Sequence, residues 1–179
     1  METQNYTFST FSEYAKDGIS SALSTLMVSK TPPVLLCIGS DLVLSDSLGP
    51  LIGTLLLQKN INAYVYGSLS FPVTAKEVNY AKSYLEETHK GSKIIAIDAA
   101  VGSSDDIGLI RVLNKGIKPG LGVGKNLKMV GDLSIIGIVS EKKPNNDKLL
   151  NATRLNLIYS MANNIANGIE NYLKELKTA

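Results

Sequence analysis

The stretch Val34-Leu35-Leu36-Cys37-Ile38, running on through Gly39-Ser40-Asp41 to Ser45-Asp46-Ser47-Leu48-Gly49-Pro50, decides the fold. Five consecutive apolar residues are what a strand covered on both faces requires. A polar loop follows, and a helix is expected from near Ser47 to about Gln58. The theme returns downstream. Ala63–Tyr66 reads as a second strand, and Lys93-Ile94-Ile95-Ala96-Ile97 as a third, delivering Asp98 at its C-terminal end. Between them, Thr74 and Glu77 have capping-box spacing and open a helix that Gly91 ends. Upstream, Thr10 and Glu13 repeat that spacing ahead of Ala15, Ile19, Ala22, Leu23 and Leu26. This predicts a helix over about 10–28, stopped by Pro32-Pro33. Strands are expected at 108–113 and 133–139, separated by a glycine-rich segment at 116–131. A last helix over about 148–176 carries the stripe Leu150, Ile158, Met161, Ala162, Ile165, Ile169, Leu173 and Leu176. Alternating buried strands and helices predict an α/β three-layer sandwich, a mostly parallel twisted sheet with helices on both faces. Nothing resembling a linker divides residues 1–179, so one domain is expected.

Composition narrows the partners. Lys and Arg are scattered and the net charge is +2, so no basic stripe is available to a phosphate backbone and nucleic acid is not expected. No apolar run approaches the roughly 20 residues that span a bilayer. The polar start Met1-Glu2-Thr3-Gln4-Asn5 has neither the basic nor the apolar region of a signal peptide. A single cysteine rules out an internal disulfide. Together these point to a reducing, cytoplasmic setting, and they leave homo-oligomerisation open.

In a parallel sheet ligands bind outside the carboxyl ends of the strands, where two acidic segments emerge. One is Gly39–Pro50 with Asp46; the other is Asp98-Ala99-Ala100-Val101-Gly102-Ser103. If their strands are neighbours, two carboxylates share a crevice, one pKa rises, and the pair can work as acid and base on a water molecule. The competing reading is local: Asp46 and Ser47 stand where helix caps stand, and Asp98 could satisfy turn amides. Ser40 and Asp41 are placed to line the crevice as substrate contacts, as are Ser47, Gly102 and Ser103. Gly120 and Gly122 belong to Gly116–Lys125, which fails the Walker pattern because Pro119 and Asn126 stand at required positions; it reads as a surface loop or a wall beside the carboxylates. Cys37 reads as a core hydrophobe and His89 as an exposed residue at a helix end. With one histidine, Ser45, Ser47, Ser103 and Ser104 have little support as nucleophiles. Asp105-Asp106 and Asp132 read as turn residues.

Three segments in order, Asp46-x-Leu48-Gly49-Pro50, apolar-Asp98-Ala99, and Gly116-x-x-Pro119-Gly120-x-Gly122-Val123-Gly124, resemble the YyaC-type spore proteins over roughly residues 34–175. They also resemble the spore germination protease and, more distantly, the hydrogenase maturation endopeptidases. The resemblance implies a sheet between helix layers and a peptidase of sporulation acting on a peptide or small protein. Asp46 and Asp98 match the two candidate catalytic aspartates of the germination protease. No stretch of this sequence resembles the acidic pro-segment of that enzyme. The chain departs from the hydrogenase endopeptidases in having Ser47 where they carry a nickel-binding Glu, so neither metal nor cofactor is expected. The alternative is a catalytically silent member of the same fold that binds a peptide or protein.

Overall fold

The computed structural model describes residues 4–27, 29, 31–119, 128–142 and 153–178. Six strands form one sheet: β1 (Asn5–Ser9), β2 (Val34–Cys37), β3 (Tyr64–Tyr66), β4 (Ile94–Gly102), β5 (Leu109–Leu113) and β6 (Leu133–Glu141), in the order β1-β5-β6-β4-β2-β3. The β2–β3, β2–β4 and β4–β6 pairs are parallel, whereas β5 is antiparallel to β6 and β1 to β5. The sheet is therefore mixed but mostly parallel. The helices are α1 (Ala15–Leu26), α2 (Leu48–Gln58), α3 (Val78–Thr88) and α4 (Leu155–Thr178).

Strand alternation divides the apolar residues between two cores. Leu35, Cys37, Ile95, Ile97 and Ile135 face one side, where Ile19 and Leu23 of α1, Leu48 and Ile52 of α2, and Ile158 and Ile165 of α4 cover them. Leu36, Ile94 and Ala96 face the other, beneath Val78 and Leu85 of α3 and the bridged pair Ile117 and Val130. Helices thus cover both faces, three on one and one on the other.

Several boundaries differ from the sequence reading, each for a local reason. Residues 5–9 form an edge strand that the polar N-terminal context concealed; Tyr6 and Phe8 pack toward the larger core. Thr10 then opens no helix, because its hydroxyl and N–H both donate to the Gly108 carbonyl, at 2.6 and 2.8 Å. The helix begins instead at Ala15 without a side-chain cap. Thr74 and Glu77 do pair, with Thr74 N–H donating to the Glu77 carboxylate at 3.1 Å, but in the turn preceding α3. Gly91, at φ +87°, follows that helix. The last helix starts at Leu155; Leu150 and the rest of 143–152 lie outside the described residues, and Leu176 is exposed. His89 is not a free surface residue. It stacks on Tyr64 with ring centroids 4.0 Å apart and shares a 2.7 Å hydrogen bond with the Tyr66 hydroxyl. The largest difference is β4, which runs on to Gly102 and leaves Asp98 inside the strand.

Candidate active site at the end of β2

The chain runs from β2 outward to β3 and then crosses to β4 on the other side of β2. The intervening helices α2 and α3 lie on opposite faces. The carboxyl ends of β2 and β4 therefore border the switch point of the sheet, where neighbouring connections diverge and leave a crevice.

The hydrogen-bond ladder shows how the crevice opens. Val34 N–H donates to Lys93 O at 2.9 Å and Ile38 N–H to Ile97 O at 2.7 Å, so odd-numbered residues of β4 face β2. Asp132 N–H donates to Ile94 O and Lys142 N–H to Gly102 O, both at 2.8 Å, so even-numbered residues face β6. The next rung toward β2 belongs to Ala99, and it is not made. At Gly39, with φ +144°, the chain turns away; a Cβ there would sit 2.1 Å from the Asp46 carbonyl. Ser40 N–H, next in register for the Ala99 carbonyl, donates instead to the Asp46 carbonyl at 3.0 Å. Ala99 N–H donates to Oδ1 of Asp98 at 2.8 Å. The two aspartates thus accept the two N–H groups that the broken ladder releases.

Asp46 ends a short 3-10 turn, Leu44–Asp46, that lies against β4, α2 and α4. Close packing of α2 fixes this turn: a Cβ at Gly49 would meet the Ile38 carbonyl at 2.0 Å, and one at Gly53 the Gly67 carbonyl at 1.8 Å. Neither Asp46 nor Ser47 acts as the cap that their positions suggested. Ser47 is buried and its hydroxyl donates to the Leu44 carbonyl at 2.8 Å, and α2 receives no side-chain cap from it. Burial raises the pKa of Asp46, partly opposed by the Ser40 backbone N–H. Burial raises Asp98 further, the charge of Asp46 adds to it, and the Ala99 N–H opposes it, leaving Asp98 at about 8. The two carboxylates are electrostatically coupled. Near neutral pH Asp98 retains a proton that it can donate, beside a second carboxylate able to accept one.

The other candidates scatter around this pair. Ser40 is half-buried, and its Oγ accepts the Leu42 N–H at 3.2 Å; Asp41 is exposed. Gly102 and Ser103 lie at the far end of β4, about 13 and 16 Å from Asp98 at strand rise. Gly120 and Gly122 fall outside the described residues. Asp106 pairs with Arg111 at 2.7 Å, and Asp132 holds Lys93 Nζ and Ile94 N–H, each at 2.9 Å, so both have structural partners. Cys37 is fully buried, which pushes its thiol far above the ordinary range and leaves it inert. Among the described residues, no three of His, Cys, Asp and Glu gather as a metal-binding group. The sequence reading placed Gly39 and Ala99 in the two acidic segments but gave neither a role of its own. A glycine closing an apolar run is the signal that could have marked the first. The second depends on strand register and has no sequence signature.

The family described as "Protein of unknown function (DUF1256)" matches residues 7–168. The chain is also 41% identical over 139 residues to "Uncharacterized protein YyaC" of Bacillus subtilis (strain 168), an alignment covering 77% of this chain and 68% of that protein.

Proposed function

The chain belongs to the DUF1256 family, and we propose that it is an aspartate-dependent peptidase, or a relative of one, related to the spore germination protease and acting during sporulation. The observation that carries this reading is the coupling of Asp46 to a raised Asp98 at the sheet's switch point. Asp46 as carboxylate takes a proton from water, whose oxygen attacks the peptide carbonyl. Asp98 in its acid form gives its proton to the departing amine. Each carboxyl ends in the other's starting state, and the exchange of one proton resets the pair. Peptide hydrolysis needs both roles. A cytoplasmic or spore-compartment location suits a chain with one buried cysteine.

The test is incubation of the protein with a peptide library in 18O water, alongside Asp46→Asn and Asp98→Asn. Cleavage with 18O in the new carboxyl termini is expected, falling at least about 100-fold in either variant. Its rate should decline above about pH 8, as Asp98 loses its proton. Cleavage that survives both substitutions would remove the aspartates from the chemistry. Binding without cleavage in the wild type would favour the silent, peptide-binding alternative.

A further inference from the structure

The missing rung at Ala99 leaves more than a carboxylate pair. Beyond Ile97, β4 continues for five residues paired on its β6 side alone. By the parity of the ladder, Ala99 and Val101 turn their backbone groups toward the space that β2 vacates. Asp98 takes the Ala99 N–H; the parallel pairing with β2 ends at Cys37, so the Ala99 carbonyl and the Val101 backbone groups meet no β2 residue. Ala99 and Val101 are only half-buried, so this edge reaches solvent. The Leu44–Asp46 turn lies against β4.

Loops at the same end of the sheet carry exposed apolar side chains. Leu42 and Val43 follow β2, with Leu42 89% exposed; Leu69 and Phe71 follow β3, with Phe71 81% exposed. The second loop is tied to the site: Gly39 N–H donates to Val73 O at 3.0 Å, and Leu69 N–H to Thr54 Oγ1 of α2 at 2.9 Å. Unpaired strand edges are ordinarily covered or guarded by charge, because they template pairing with another chain. Among the described strands, only β6 pairs with this stretch, which lies beside Asp98 and at the same end of the sheet as these apolar residues.

We propose that the Ala99–Val101 edge of β4 binds an extended, proline-free polypeptide segment by strand addition, laying its backbone along the edge with Asp46 and Asp98 beside it. Main-chain hydrogen bonds supply the affinity, and alternate side chains meet Leu42, Val43, Leu69 and Phe71. The inference rests on the crevice reading above in taking the occupant to be a peptide, but it concerns binding and stands whether or not the peptide is cut.

The test uses the Asp98→Asn protein, in which cleavage is suppressed and the acceptor for Ala99 N–H is retained. A pool of fluorescein-labelled octapeptides with alternating apolar and polar residues is screened by anisotropy. The best binder is then resynthesised with N-methyl groups on odd or on even amides. One phase should weaken binding at least tenfold and the other less than twofold, because only alternate amides face β4. Val101→Pro, which removes an N–H that the ladder turns away from β6, should weaken binding at least tenfold in protein that keeps its fold. In the unmodified protein, hydrogen exchange at Val101 should be fast alone and protected by the peptide. The N-methyl series and the exchange measurement need no variant of Val101, so a misfolded Val101→Pro would not blunt the test. No binder in the pool, equal loss in both N-methyl phases, or an unprotected Val101 would each overturn the proposal. Peptide binding of this pattern without cleavage would sustain it while removing the peptidase reading.

Discussion

At the residue scale, the site is defined by what Asp98 lacks. A carboxylate accepting one backbone N–H is ordinarily stabilised as the anion, yet Asp98 sits at about 8 because burial and the charge of Asp46 both outweigh the Ala99 bond. In the unfolded chain the same group loses its proton near 3.9. Between about pH 4 and 8 the folded state therefore holds a proton that the unfolded state has released. The stability contributed by this group is full below pH 4 and is lost as pH rises through 8. Asp98→Asn keeps an acceptor for Ala99 N–H and removes the ionisation. It should stabilise the protein by up to about 4 kcal/mol at neutral pH, with the gain growing toward pH 8 and vanishing toward pH 4. Thermal melts of wild type, Asp46→Asn, Asp98→Asn and the double variant across that range provide the check. Gains that do not add, because either substitution relieves the same repulsion, are expected; pH-independent, additive losses would remove the coupling between the two carboxylates.

At the scale of the element, glycine geometry sets the crevice. Gly39 and Gly91 both have positive φ, but a Cβ at Gly39 would meet a backbone carbonyl at 2.1 Å, whereas Gly91 has open space around it. Gly91→Ala should therefore cost about 1 kcal/mol, the conformational penalty alone. Gly39→Ala should cost more than about 2 kcal/mol, since the carbonyl it strikes belongs to Asp46 and the turn must move. Urea unfolding of the two variants compares them. The same turn should shift the Asp98 titration in whatever Gly39→Ala protein folds, read from its carboxyl carbon by NMR, while Gly91→Ala leaves it alone.

Across the whole molecule, the two cores share β2 and β4, so neither helix layer has a sheet of its own. Unfolding should be a single transition, with calorimetric and van't Hoff enthalpies equal; two resolved transitions would divide the chain. Much of this architecture was legible in the sequence. Val34–Ile38 and Lys93–Ile97 had to be central strands because unbroken apolar runs require cover on both faces, and Ile158, Met161, Ala162 and Ile165 had to turn inward on the last helix. Asp46 and Asp98 were legible as candidates, being acidic residues that follow such apolar runs, although β4 carries on past Asp98. What the sequence could not convey was pairing. Asn5–Ser9 became a strand only because β5 offered it an edge, and Thr10 gave up a capping role to the Gly108 carbonyl across 98 residues of chain. Whether β4 ended at Ile97 or ran on depended on β6, which pairs with it through Gly102 after β2 has turned away at Gly39. Composition and periodicity are local and fix which residues must be buried. The open edge at Ala99 arises where one neighbouring strand stops before the other, and only the tertiary structure decides where that is.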